Sequence, residues 1–396
     1  MTTPNRTAVT CTATNLNGTP TLLFIHGFLD DAAIWDGVIA AVDQAVNTVR
    51  YDLPGFGSCA ATDADLDVLS LESLAAEAGE ILAGIDTPVI VVGQSMGTQI
   101  AEIVAAEHAD RVDGLVLLTP VPLGGTHLPD EEMASFRNLA NDYGAQRAAR
   151  SALSPGLKTQ QLDRLVAAGA AVSPEVVARY ADIWNGGVRD APAISDYAGP
   201  VLVIRGGIDS FVTAQLANAV AGRFADVREH VIDQGGHWLH VEYPDTVAAM
   251  ILEFKDAVAS GKAADGWQRS FADQSQSEFA EQFADEVVLQ ATTLAKAVEG
   301  KQRVATVLAT ASSIYESLEF TVEAQSASTT YLQWRATAFG DMQIDGVSVL
   351  ERDASGKIVA AAIHHRPLGA VLRFAAEIRD RLAGVIPADH FLKESA

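Results

Sequence analysis

The pentapeptide Gly93-Gln94-Ser95-Met96-Gly97 directly follows the apolar run Val89–Val92 and opens a stretch with helical spacing. A serine at such a strand-to-helix turn is held in a strained conformation that pushes its hydroxyl into a cleft. Flanking glycines avoid collisions with the neighbouring strand and helix. The helix N-terminus behind the serine favours developing negative charge. The chemistry implied is nucleophilic attack on a carbonyl carbon, with an acyl group passing through Ser95.

A serine hydroxyl needs a base and an orienting acid, and in this setting they follow in the order Ser, Asp or Glu, His. Asp209 lies just past the apolar run Val201–Ile204, and His237 lies in Gly235-Gly236-His237-Trp238 after the next strand-like run, Arg228–Ile232. In this reading His237 takes the Ser95 proton and later gives it to the leaving group, while Asp209 fixes the imidazole tautomer and stabilises its charge. His240 is an alternative base and Asp233 an alternative acid; His108, at a helix end, reads as a C-terminal cap. The His-Gly turn of Phe24-Ile25-His26-Gly27-Phe28 should aim a backbone N–H at the same cleft. The N–H groups of Phe28 and Met96 are therefore the expected oxyanion hole, with His26 bracing the loop. This chemistry requires no metal and no organic cofactor.

Elements to position these residues are legible as short apolar runs alternating with amphipathic stretches, the pattern of a mainly parallel α/β sheet. Strands are expected at Thr21–Ile25, Asn47–Tyr51, Val89–Val92, Leu115–Leu118, Val201–Ile204 and Arg228–Ile232, and helices at Leu71–Ile85, Thr98–Glu107 and Pro244–Ala259. From about 122 to 196 there is no strand-like run, only helical segments such as Asp130–Tyr143, Ala145–Ala152 and Pro174–Trp184. Such an insertion reads as a lid over the carboxyl edge of the sheet.

The small, polar, glycine-bearing stretch 261–267 reads as a linker between a first domain, 1–260, and a second, 268–396. The second opens with helices, Phe271–Asp285 and Lys301–Leu318, and continues with strands at Glu319–Gln325, Thr329–Ala338, Met342–Arg352 and Ile358–Arg366. The last two strands are joined by the turn Asp353–Gly356, and the order of elements is that of an α+β domain.

The net charge of −24 comes from 51 acidic residues against 27 basic ones, which argues against nucleic acid and anionic membranes as partners. The two cysteines, Cys11 and Cys59, read as lone thiols rather than a disulfide. The start lacks the pattern of a signal peptide, and no long uninterrupted apolar run is present, so the expected location is cytoplasmic.

The first 260 or so residues resemble the α/β-hydrolase superfamily, and within it the lid-bearing esterases and haloperoxidase-like perhydrolases. The resemblance rests on His26-Gly27-Phe28, Trp35, Asp52-Leu53-Pro54-Gly55-Phe56-Gly57, the Ser95 turn, Asp209 and His237. It implies an α/β sheet with a helical lid and a Ser95–His237–Asp209 triad; the Asp52–Gly57 turn has a structural role. Haloalkane dehalogenases and epoxide hydrolases share the resemblance but carry a carboxylate where this chain has Ser95.

From about Trp267 to Leu382 the chain resembles the nuclear transport factor 2-like, or SnoaL-like, superfamily of α+β cones. The carriers are Phe283-Ala284-Asp285-Glu286-Val287-Val288, Glu299-Gly300-Lys301-Gln302-Arg303-Val304 and Val359–Pro367. Some relatives place an acid–base residue in the cone, for which Asp341, Asp345, His364 or His365 would be the candidates here. His364 and His365 are neighbours on a strand, so at most one faces a pocket. The preferred reading is a module without chemistry that shapes the substrate site or forms a homodimer.

Together these features predict a serine hydrolase for a small, uncharged or weakly polar ester or lactone, its one expected ligand. The rivals are a C–C hydrolase or perhydrolase on the same triad, or a ligand-binding protein with slow turnover.

Overall fold

The computed structural model describes residues 9–12, 19–42, 45–59, 61, 63–140, 142–326, 328–353 and 356–392. The chain divides into two compact units, one ending at Lys255 and the other beginning at Asp256.

The first unit is built on a seven-stranded sheet of β1 (Val9–Thr12), β2 (Thr21–Ile25), β3 (Asn47–Tyr51), β4 (Val89–Gln94), β5 (Val112–Leu118), β6 (Val201–Gly206) and β7 (Val227–Ile232). The order is β1-β3-β2-β4-β5-β6-β7. β1 runs antiparallel to β3 and every other pairing is parallel. Every residue of β2 and β4 is buried, as a parallel sheet covered on both faces demands.

The helices of this unit begin with α1 (Asp36–Ala41), α2 (Asp63–Val68), α3 (Leu71–Ala83) and α4 (Met96–Glu107). Ser70 starts α3 cleanly: its hydroxyl accepts from the Ser73 N–H, and the Ser73 hydroxyl accepts from the Ser70 N–H. The buried face of α3 carries Leu71, Leu74, Ala78 and Leu82 at helical spacing. α4 is different: it is buried on all sides from Met96 to Ala105, so the segment carrying the serine turn sits inside the fold.

Between β5 and β6 the described residues form helices and no strand. These are α5 (Asp130–Arg137), α6 (Tyr143–Leu153), α7 (Thr159–Ala170) and α8 (Pro174–Gly186). Asp142 caps α6, and Ser173 caps α8 with Pro174 in the first turn. α9 (Ala214–Ala221) and the single turn α10 (Leu239–Glu242) follow.

α11 (Pro244–Asp273) runs without a break through 261–267. The expected irregular linker is therefore a helix; no proline interrupts the segment, and its two glycines lower helix stability by only about 1 kcal/mol each.

The second unit adds α12 (Gln276–Gln282), β8 (Phe283–Ala291), β9 (Val298–Glu299), α13 (Lys301–Ser312), β10 (Ser317–Ser326), β11 (Thr329–Ala338), β12 (Met342–Arg352), β13 (Ile358–Arg366) and α14 (Leu368–Arg381). Its mixed sheet has the order β10-β11-β12-β13-β8-β9, an antiparallel meander to which β8 adds in parallel beside β13. The expected helix Phe271–Asp285 is wrong at its end. From Phe283 the chain is strand, with Val287 and Leu289 buried at a spacing of two while Gln290 is exposed. The expected helix Lys301–Leu318 likewise stops at Ser312, and Leu318 lies in β10. β12 and β13 pair antiparallel as a hairpin; Ala354 and Ser355 of their turn lie outside the described residues.

Candidate active site

Four loops at the carboxyl ends of β2, β4, β6 and β7 bring the candidate residues together, where open parallel sheets place their ligands. Ser95 follows β4 with φ 51° and ψ −122°, a left-handed conformation that an L-residue adopts only under constraint. The constraint is packing. A Cβ on Gly97 would lie 2.6 Å from the Ile25 carbonyl oxygen, and one on Gly93 would run into the Gly97 backbone. Both positions need glycine for close approach.

The Ser95 Oγ lies 3.0 Å from His237 Nε2, and His237 Nδ1 lies 2.8 Å from Asp209 Oδ2. The other Asp209 oxygen accepts the N–H groups of Phe211 and Val212 at 2.8 and 3.1 Å. Burial pushes the Asp209 carboxyl up, but His237 and these two amides outweigh it and hold the group below its usual range. All three side chains are buried. The His237 carbonyl is held from behind by Gln94 Nε2 at 3.3 Å and Thr119 Oγ1 at 3.2 Å. These two residues carry no sequence signal for that task.

On the opposite side, the His26 Nε2 accepts from the Leu53 N–H at 3.0 Å and its Nδ1 lies 2.9 Å from the Gly27 carbonyl. The ring therefore braces the loop and faces no reacting group. Among the described residues the Phe28 N–H meets no backbone acceptor. The Met96 N–H, at the first position of α4, has no intrahelical acceptor.

The remaining sequence candidates fall elsewhere. Asp233 is exposed in the turn after β7, and His237 pairs with Asp209 instead. His108 is the C-cap residue of α4. In the second unit Asp345 pairs with Arg335 and Arg366, while Asp341 and His364 are exposed. His365 packs against Trp334 and Phe374 and sits 3.0 Å from both the Tyr315 hydroxyl and Thr292 Oγ1.

His240 is fully buried beside Trp35, 4.7 Å between ring centroids, and neither ring nitrogen has a partner. Burial lowers its pKa from 6.5 to about 3. The unfolded chain thus binds a proton below pH 6.5 that the folded chain refuses until about pH 3, so stability falls as pH falls through that window. His240→Leu should remove this acid sensitivity, an effect of about 2–3 kcal/mol at pH 4.5 relative to pH 7. Urea titrations at the two pH values measure it; an unchanged pH slope would refute the assignment.

Ser95 and His237 open into a cleft of about 60 Å³ whose walls are mainly apolar, with Phe28, Phe136, Trp184, Phe211 and Trp238 as its aromatic members. Phe136 and Trp184 come from α5 and α8 of the insertion. Of the lining residues, Arg150 alone carries a permanent charge, and its guanidinium is paired with buried Asp30, Nη1 to Oδ1 at 2.7 Å.

Residues 22–250 match the family model of the alpha/beta hydrolase family. The chain belongs to that family. A pimeloyl acyl-carrier-protein methyl ester esterase from Cronobacter sakazakii is 25% identical to this hydrolase over 256 residues, covering 60% of this chain and 94% of that one. An sn-1-specific diacylglycerol lipase of Mus musculus is 23% identical over 265 residues, covering 61% and 80%. A hydrolase from Oleispira antarctica shares the fold, with a TM-score of 0.56 at 19% identity, covering 63% of this chain and 94% of that one. These matches concern the first unit. The second unit is a mixed-sheet domain, and among the described residues no helix is long and apolar enough to cross a membrane.

Proposed function

We propose that this hydrolase cleaves a small, uncharged carboxylic ester or lactone through an acyl-enzyme on Ser95. The observation that carries the reading is the unbroken hydrogen-bonded chain Asp209–His237–Ser95 at the floor of an aromatic cleft. His237 Nε2 removes the hydroxyl proton as Ser95 Oγ attacks the carbonyl carbon, and the Phe28 and Met96 N–H groups receive the oxyanion. The imidazolium returns the proton to the leaving alkoxide. Water then repeats the sequence on the acyl-enzyme and releases the acid.

Preference for an uncharged substrate follows from the cleft: its walls are apolar, and its one fixed charge is neutralised by Asp30. The net charge of −24 disfavours anionic substrates further. The esterase and lipase relatives support ester cleavage. The second unit, in this reading, is a nuclear transport factor 2-like module that pairs two copies, and the protein works in the cytoplasm.

A panel of short- and medium-chain aryl esters, lactones and a fluorophosphonate probe tests the reading. Turnover of esters or lactones together with labelling of Ser95 supports it. Labelling with cleavage confined to C–C substrates moves the reaction class, and absence of both turnover and labelling overturns the reading.

A further inference from the structure

The side chain of Arg150, on α6 of the insertion, reaches out of its helix into the two loops that flank the cleft. Its Nη1 lies 2.7 Å from Asp30 Oδ1, and its Nη2 donates to the Leu29 carbonyl at 2.6 Å. Its guanidinium carbon stands 4.8 Å over the Trp238 ring, and the Trp238 Nε1–H donates to the second Asp30 oxygen at 2.8 Å. Two of these partners lie one residue beyond a group of the proposed mechanism: Leu29 follows Phe28, and Trp238 follows His237.

Leu29 makes the arrangement informative. Its φ is 62°, in the region that non-glycine residues avoid, so the loop after Phe28 sits in a strained conformation and needs an outside hold. Arg150 supplies one by binding the Leu29 carbonyl. The His237 loop is tied to the same helix through its backbone. The His237 N–H donates to the Leu153 carbonyl at 2.9 Å, and the Trp238 N–H donates to Ser154 Oγ at 2.8 Å. Glu242 completes the tie by accepting from the Gly236 and Gly156 N–H groups at 2.8 and 3.0 Å.

We propose that Arg150 is a positioning residue that couples the seating of the lid helix α6 to the alignment of both the oxyanion loop and His237. The proposal rests on the Ser95 hydrolase reading and adds to it. In consequence the lid is part of the catalytic framework: displacing α6 releases the strained Leu29 and loosens the base together. Two of the five N–H donors of Arg150 are engaged by Asp30 and Leu29, which hold its guanidinium against the loop rather than leaving it free in the cleft.

Removing Arg150 alone would strand a buried carboxylate, so the test pairs Arg150→Met with Asp30→Asn, and uses Trp238→Phe as a milder break in the same link. The readouts are kcat and KM on an aryl ester, kinact and KI for the fluorophosphonate probe, and the melting temperature. The paired variant is expected to lose about 10–100-fold in kcat and kinact, with KM and KI changed less than about threefold. Trp238→Phe should lose about 3–10-fold, and combining all three changes should cost no more than the pair does, because they break one link. Raised KM with unchanged kcat would overturn the proposal by making Arg150 a substrate contact. Unchanged kcat with a lower melting temperature would overturn it by making the link structural only. Should the pair fail to fold, Trp238→Phe decides by the same split. A wild type that neither turns over esters nor labels at Ser95 overturns the hydrolase reading and this proposal with it.

Discussion

Ser95→Ala is expected to lower kcat/KM for ester hydrolysis by about 10⁴–10⁶-fold and to leave the fold intact. The loss is large because no other nucleophile stands where Ser95 Oγ does, 3.0 Å from the base and in the lining of the cleft. What remains is the oxyanion hole and binding, which together give a small residual rate over water. The fold should survive because the hydroxyl makes one hydrogen bond, to His237, worth about 1 kcal/mol. The strained φ at position 95 is imposed by Gly93, Gly97 and their neighbours, and alanine is held there as serine is. Steady-state rates, fluorophosphonate labelling and melting temperature, taken on the same preparations, make the comparison. Wild-type rates in the alanine variant would end the serine mechanism.

Asp209→Asn should cost about 10³–10⁴-fold in kcat, again without unfolding. The asparagine oxygen can still accept from Phe211 and Val212, so the loop keeps its shape. The amide, however, donates to His237 Nδ1 where the carboxylate accepted from it. This moves the imidazole proton to Nε2, which then cannot take the Ser95 proton, and the imidazolium loses its counter-charge. Asp233→Asn is the control: that side chain is exposed and should alter kcat by less than about twofold. The two variants separate the acids that chain order alone left in competition. Equal losses, or a larger loss at Asp233, would reassign the acid.

Both expectations began as patterns in the chain, and the patterns differ in how much they carried. The Ser95 turn was legible because a strand, two glycines and a helix start are local features, set by sterics within a few residues. The mixed sheet of the second unit was legible in part. Its meander strands alternate clearly, but β8 passed for the end of a helix because Phe283, Val287 and Val288 also fit a helical stripe. α7 and α14 lie outside the named helical segments, their apolar positions being interleaved with polar ones. At 261–267 the glycine content suggests a loop, whereas the flanking helical residues carry α11 across it.

The surrounding support of the site was not legible at all. Nothing near Arg150 marks it apart from other helical arginines, and its partner Asp30 is 120 residues away. Gln94 and Thr119 meet the His237 carbonyl across separations of 143 and 118 residues. The sequence by itself determined which residue types could react, in what chain order, and that a parallel sheet with a helical insertion would carry them. The tertiary structure alone decided that His237 pairs with Asp209, that His240 is buried beside Trp35, and that α6 and its cap are hydrogen-bonded to Leu29, His237 and Trp238. The reason is physical. Local propensity acts over a few residues, but hydrogen-bond partners and burial are set by the order in which strands pair, and that order brings distant loops to one edge of the sheet.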